Sequence, residues 1–217
     1  MKSLMLLTLP RSMSTFTFKQ CRQALKGKLN TLPEEPFHDG DPFNVIQSFY
    51  PELQDKLCNT NDEDFNKYEK ILDRYSNDYL LRMGSQPYMI SKYSDLTKKY
   101  NVIYLKRELS DVVYSLYKKN WYWLTKYSNS EKTLEGLAKA CYEVDALYQS
   151  LTEHKLHYLN IVKDENTIPN LLRRVGYKSN KLNYRNDAFV NYSKVVLDRR
   201  KSDLWHEINE LINGFES

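Results

Sequence analysis

The stretch SLMLLTLPRSMSTF, residues 3–16, decides the fold of this chain. Its first part, Ser3–Leu9, is mostly apolar, too short to span a membrane but long enough for a strand buried on both faces. Pro10 ends the strand, and residues 14–28 then show the apolar spacing of a helix, with Gly27 as its terminator. The stretch therefore predicts a buried strand, a short loop and a helix.

The loop between this strand and this helix contains one arginine and several hydroxyl groups. Arg11 can supply a positive charge, and Ser12, Ser14 and Thr15 can donate hydrogen bonds. An anion beyond the strand would also meet the free N–H groups and the positive dipole end of the helix. The sequence therefore predicts a phosphate or sulfate site, although an ordinary strand-to-helix turn capped by serine would have the same composition.

This loop is not a Walker-type phosphate loop, because G-x-x-x-x-G-K-[ST] requires glycines and the first glycine of the chain is Gly27. The order PRSMST, Pro10–Thr15, instead resembles the phosphosulfate loop of sulfotransferases, P-[KR]-S-G-[ST]-[ST]. Met13 stands where most members of that family have glycine. The resemblance implies that this loop binds the 5′-phosphosulfate end of the donor 3′-phosphoadenosine 5′-phosphosulfate (PAPS).

A second motif, NVIYLKRELSDVVYSLY, occupies residues 101–117. Its β-rich first part predicts a strand that ends at Arg107, and Ser110 is predicted to cap the helix that follows. Arg107 would then lie at the carboxyl end of a strand, where open α/β sheets bind ligands. Ser115 would lie on a helix face away from the apolar stripe, and would thus be available for polar contacts.

The same motif resembles the sulfotransferase block I-Y-L-x-R-x-x-x-D-V-x-x-S-x-Y. In that family the arginine and the serine eight positions later bind the 3′-phosphate of the nucleotide, which the resemblance assigns to Arg107 and Ser115. Tyr158 stands where some relatives contact adenine, although a core tyrosine is an equally good interpretation. The resemblance extends from Ser3 to about Gly176. Relatives often place a basic C-terminal element on the 3′-phosphate, but we interpret Asp198–Lys201 as a solvated charge run.

The stretch 32–43, with three prolines and one glycine, predicts an irregular loop rich in ionisable groups. Glu35, in Glu35-Pro36-Phe37, resembles the proposed base of bacterial and Golgi-type carbohydrate sulfotransferases, which carry a Glu-Pro pair there. His38 is the rival, because an imidazole titrates near neutral pH. A solvated acidic connector is the alternative interpretation of this loop.

Periodicity predicts the remaining elements. Residues 44–83 are predicted as two helices, Pro87–Lys92 as a second strand, residues 132–154 as a helix and Leu156–Val162 as a fourth strand. Lys92 begins Lys92-Tyr93-Ser94, which stands where cytosolic sulfotransferases have K-T-H. The resemblance therefore implies that Lys92 contacts the transferring sulfuryl group, while the histidine base is missing.

The predicted fold class is α/β, a P-loop-like three-layer fold with a central parallel sheet of about four strands flanked by helices. A chain of 217 residues with 41% apolar content can fold as one domain, residues 1–217. Lys and Arg number 32 against 28 Asp and Glu, and the charges are interspersed, so the net charge of +4 indicates local anion sites and not a nucleic-acid groove.

The three cysteines are too widely spaced for a disulfide framework or a zinc site, so we expect a reducing, cytoplasmic location and no metal. No membrane span is expected. The aromatic segment Trp121–Trp123 is predicted either as a wall of the acceptor cleft or as core.

Together the motifs predict a PAPS-dependent sulfotransferase that acts on a hydroxyl or amine of a small-molecule or carbohydrate acceptor. Arg11 and Lys92 would neutralise the bridging and leaving oxygens, and Glu35 would be the general base. A nucleotide or small-metabolite kinase is one alternative, but it would lack the Walker lysine and an obvious magnesium carboxylate. A catalytically inactive nucleotide-binding module is the other, suggested by Met13 and the missing histidine.

Overall fold

The computed structural model describes residues 1–31, 66, 69–70, 72–83, 87–92, 96–182 and 194–216. Within them lies a sheet in the order β2-β3-β1-β4-β5, in which every neighbouring pair is parallel. The strands are β1 (Ser3–Thr8), β2 (Asn30–Thr31), β3 (Tyr79–Met83), β4 (Tyr100–Lys106) and β5 (Lys155–His157). The α/β prediction is confirmed, with five strands in place of about four.

Helices pack on both faces of this sheet. They are α1 (Ser14–Ala24), α2 (Pro87–Lys92), α3 (Leu96–Lys99), α4 (Leu109–Tyr117), α5 (Leu134–Leu151), α6 (Tyr158–Lys163), α7 (Thr167–Arg174) and α8 (Asp203–Glu216), with a 3-10 turn at Trp123–Lys126. Residues 194–199 are also helical. One core lies between the sheet and α1, α6 and α7, and the other between the sheet and α4, α5 and α8. The three-layer prediction is therefore confirmed.

β1 is the central strand, paired with β3 on one side and β4 on the other. Its side chains alternate between the two cores, since Leu4 and Leu6 pack with α1 whereas Met5 and Leu7 pack with α4 and α5. All four side chains are completely buried. The predicted strand with two buried faces is confirmed.

Two predicted elements are wrong. Residues 79–83 fall in a stretch predicted as helix but form β3, because five residues are too few for periodicity and pairing with β1 decides the outcome. Pro87–Lys92, predicted as a strand, forms α2, and proline is well suited to the first turn of a helix. The first of the helices predicted in 44–83 lies outside the described residues.

Two other predictions hold only in part. The predicted strand at residues 156–162 ends at His157, and Tyr158 begins α6. In that helix Tyr158 and Ile161 are both buried, a three-residue spacing that fits a helix better than a strand. α4 begins at Leu109, so Ser110 is not its cap, and the Ser110 hydroxyl instead donates a hydrogen bond to Asn209 of α8.

The loop between β1 and α1 has a left-handed backbone at two residues. Arg11 has φ of 64° and Met13 has φ of 62°. Met13 directly precedes α1, and its carbonyl accepts hydrogen bonds from the N–H and the hydroxyl of Thr17. Met13 thus adopts the conformation that glycine adopts without strain, at the position where the sulfotransferase pattern has glycine.

Met13→Val should lower the free energy of unfolding by about 1–3 kcal/mol, because a β-branched side chain is strained at positive φ. Met13→Gly is the matched control, and its effect should stay within about 1 kcal/mol, since relief of backbone strain offsets lost packing and a more flexible unfolded chain. Urea denaturation measures both changes. Equal destabilisation by the two substitutions would show that the left-handed backbone at this position does not determine the loss of unfolding free energy.

Candidate active site

The carboxyl ends of β1, β3 and β4 meet at one edge of the sheet. α1 follows β1 and packs on one face, whereas α4 follows β4 and packs on the opposite face. Because β1 and β4 are neighbours and their helices pack on opposite faces, the region between their carboxyl ends, which we call the crevice, is the topological switch point at which open parallel sheets bind ligands. The loop 9–13 and the segment 107–108 border this crevice.

Arg11 and Ser115, which come from the two sequence motifs, are in direct contact across the crevice. The Arg11 Nε donates a hydrogen bond to the Ser115 hydroxyl at 3.1 Å. The Arg11 guanidinium also lies 5.8 Å from the ring centroid of Trp121, a side chain that is 44% exposed. The structure therefore brings together a cation, a hydroxyl and an accessible aromatic surface.

Arg107 holds the backbone of the loop between β1 and α1 in place. It is almost fully buried and its Nη1 donates a hydrogen bond to the Arg11 carbonyl. Its guanidinium also lies 5.3 Å from the ring centroid of Tyr158. Arg107 thus joins the end of β4 both to the loop after β1 and to the start of α6. It directly follows the last residue of β4, as the sequence predicts.

Arg82 is a cation of this site that the sequence analysis missed. It lies in β3 opposite Leu6 of β1, and its Nη1 donates hydrogen bonds to the hydroxyls of Ser14 at 2.9 Å and Thr15 at 3.1 Å. The sequence does contain a signal for this residue. The apolar run Tyr79–Leu81 is followed directly by an arginine, which is the same pattern that predicts Arg107 at the end of a strand. Interpretation of residues 44–83 as helical concealed it.

Asp111 is a buried carboxylate beside Arg107. It accepts hydrogen bonds from Arg200 Nε at 3.2 Å and Nη2 at 2.7 Å, and from the Trp205 indole at 3.0 Å. The hydroxyl of Tyr158 lies 3.4 Å from Asp111 Oδ2. The hydrogen bond to Asp111 raises the pKa of Arg200 above its ordinary value. The interpretation of residues 198–201 as a solvated charge run is therefore wrong for Arg200.

The guanidinium groups described above give this edge of the sheet a positive charge. Arg11, Arg82, Arg107 and Arg200 all lie there, and the carboxylates near them include Asp111 and Glu108. A low-dielectric crevice strengthens their attraction for an anion. Burial lowers the pKa of the nearby His157, and Lys106 and Arg200 add to this effect against the opposing charge of Glu108.

The remaining predicted residues fall into two groups. Pro10 and the buried Ser12 lie in the loop after β1, as predicted. Lys92 is exposed in the last turn of α2 and does not lie on a strand, and its role at the sulfuryl group stays a prediction. Glu35 and His38 lie outside the described residues, and their roles stay predictions.

Among the described residues, no group of three or more His, Cys, Asp or Glu side chains is arranged to hold a metal ion. No helix in the same part of the chain has the length and apolarity needed to cross a membrane.

Comparison with known proteins identifies the family. The chain matches the model of the sulfotransferase domain over residues 2–169. No curated protein matches it. A similar solved structure is the "Sulfotransferase Domain from the Curacin Biosynthetic Pathway", with 13% identity and a TM-score of 0.49 over 98% of each chain. Since the family model covers well over half of the 217 residues, the chain belongs to the sulfotransferase domain family.

Proposed function

We propose that this protein transfers the sulfuryl group of PAPS to a hydroxyl or amine of a small-molecule or carbohydrate acceptor. The observation that carries the proposal is the direct contact between the two motifs, since Arg107 binds the Arg11 carbonyl and Arg11 binds Ser115. PAPS carries its two anionic groups on the 5′ and 3′ positions of one ribose. The two motifs follow the neighbouring strands β1 and β4, so the two anionic groups of one ligand could each meet one motif.

The 5′-phosphosulfate would bind the loop after β1. The hydroxyls of Ser14 and Thr15 and the first N–H groups of α1 would donate hydrogen bonds to it. Arg82 already contacts both hydroxyls, so its guanidinium is within reach of an anion that binds them. Arg11 lies on the opposite side of the loop, beside Ser115.

The 3′-phosphate would bind Arg107, Ser115 and Arg200. Arg107 and Arg200 share the carboxylate of Asp111, which lies 4.0 Å from Arg107 Nε and 2.7 Å from Arg200 Nη2. Guanidinium groups are good phosphate ligands because they can donate two parallel hydrogen bonds. Tyr158, whose ring lies against Arg107, would border the nucleoside.

In the reaction, the acceptor oxygen or nitrogen attacks sulfur and the bond from sulfur to the bridging phosphate oxygen breaks. The electron pair of that bond remains on the 5′-phosphate of the product, 3′-phosphoadenosine 5′-phosphate (PAP), and the acceptor proton passes to a base. Cations positioned at the bridging and leaving oxygens stabilise the charge that develops there, as in phosphoryl transfer. Arg11 and Arg82 would take this role, and Glu35 would be the base.

Trp121 would form a wall of the acceptor cleft. It is exposed and its ring lies against Arg11, so an acceptor ring stacked there would be next to the transferring group. Trp123 and Tyr122 pack against the core instead. The predicted aromatic segment therefore divides into one accessible residue and two that support the fold.

The donor is tested by isothermal titration calorimetry with PAP and with adenosine 5′-monophosphate. PAP should bind at least about tenfold more tightly, because hydrogen bonds between charged groups contribute roughly 1.5–3 kcal/mol each. Equal binding, or no binding of either, would contradict the proposal. Binding of ATP that strengthens with Mg²⁺ would favour the kinase alternative.

Arg82 and Lys92 form a matched pair for the cation at the transferring group. Arg82→Met should lower turnover by about 10²-fold, the usual effect of removing one donor from a developing charge. Lys92→Met should leave turnover nearly unchanged, because Lys92 is exposed at the end of α2. Steady-state kinetics with PAPS measure both, and thermal melting checks that both variants fold. The reverse result would assign the role to Lys92.

The base is tested with Glu35→Gln and His38→Ala. Glu35→Gln should reduce the chemical step by roughly 10²-fold or more while PAP affinity stays nearly intact, because the base acts on the acceptor and not on the donor. His38→Ala should have a much smaller effect. Near-normal turnover of Glu35→Gln together with a slow His38→Ala enzyme would transfer the role to the histidine.

A further inference from the structure

Asp111 connects four separate parts of the chain. It lies in α4, four residues after Arg107 at the end of β4. Tyr158 begins α6, while Arg200 and Trp205 belong to the C-terminal part of the chain. The Asp111 carboxylate is therefore the point at which the C-terminal part reaches the crevice.

The two oxygens of this carboxylate have different partners. Oδ1 accepts hydrogen bonds from Arg200 Nε at 3.2 Å and from the Trp205 indole at 3.0 Å. Oδ2 accepts from Arg200 Nη2 at 2.7 Å and lies 4.0 Å from Arg107 Nε. Arg200 is thus held by a two-pronged contact, which fixes the plane as well as the position of its guanidinium.

Simple packing does not require a charge at this position. The Asp111 side chain is 2% exposed, and removal of a carboxylate from water costs several kcal/mol before its partners compensate. An apolar side chain could fill the space between α4 and α8 without that cost. The Arg200 side chain keeps 29% of its surface exposed, so one side of a fixed guanidinium remains accessible to a ligand.

We propose that Asp111 is a positioning residue, which holds Arg200 next to Arg107 so that both guanidinium groups meet the 3′-phosphate of the donor. This inference rests on the proposed function. Without the carboxylate, the two like charges would repel each other and Arg200, an exposed long side chain, would sample many rotamers. Asp111 therefore affects selectivity for the 3′-phosphate without touching the nucleotide.

The test compares the affinities of PAP and adenosine 5′-monophosphate, measured by calorimetry. In Asp111→Asn, which keeps the shape and loses the charge, PAP affinity should fall about tenfold or more while affinity for the monophosphate changes little, since one charge-assisted contact is lost. Ser110→Ala is the matched control. It removes the neighbouring contact between α4 and α8, from the Ser110 hydroxyl to Asn209 at 2.9 Å, and should leave the affinity ratio unchanged.

The route through Arg200 is tested by a double-mutant cycle. Arg200→Gln should reduce the same ratio, and Asp111→Asn should reduce it little further in the Arg200→Gln background, because the two residues act as one unit. If Asp111→Asn does not fold, Trp205→Phe removes one donor to the carboxylate and keeps a ring beneath Arg200, and it should lower the ratio in the same direction.

The outcomes separate this inference from the proposed function. A wild-type protein with no preference for PAP would overturn the proposed function itself. A wild-type preference that survives Asp111→Asn or rises in it would overturn the positioning role and leave the proposed function standing. Equal weakening of both ligands would do the same, because the ratio of the two affinities is then unchanged. If the effects of Asp111→Asn and Arg200→Gln on the affinity ratio were fully additive, the positioning role of Asp111 would also be overturned.

Discussion

Burial of β1 on both faces and both edges is the constraint on which the rest of this structure depends. Because β3 and β4 satisfy its backbone and two cores cover its side chains, β1 can be polar only where it ends. The chain must leave the sheet there, and the loop with Arg11 and Met13 forms at that end. The position of the proposed anion site is thus a consequence of packing, and its chemistry is a consequence of the loop residues.

The loop after β1 is held from three directions. Arg107 binds the Arg11 carbonyl from β4, Arg82 binds the Ser14 and Thr15 hydroxyls from β3, and Thr17 of α1 binds the Met13 carbonyl. This support explains how a methionine is kept in a left-handed conformation that glycine adopts more easily. Contacts from neighbouring elements therefore restrain the backbone of this loop.

The sequence was informative where chemistry and pattern agreed. The run Ser3–Leu9 and the block around Arg107 could be recognised because a continuous apolar run marks a buried parallel strand and a polar residue marks its end. β3 could not be recognised in this way, because Tyr79–Met83 is too short for periodicity and its conformation comes from pairing with β1. Arg82 belongs to β3 and was therefore missed as well. Arg200 was missed for another reason, since no local pattern reveals that a distant Asp111 will bind it.

The site also shows how a chain can gather cations without losing stability. Like charges on neighbouring strands repel one another, and the guanidinium groups described here have several acceptors, of which Arg107 and Arg200 share the Asp111 carboxylate. Arg107 has a backbone carbonyl, Arg82 has two hydroxyls, and Arg200 has the Asp111 carboxylate. Neutral acceptors leave the positive charge available to a ligand, whereas a carboxylate cancels part of it. The Asp111 carboxylate lies within ion-pair distance of both Arg107 and Arg200 and therefore compensates both, whereas Arg82 donates to neutral hydroxyls.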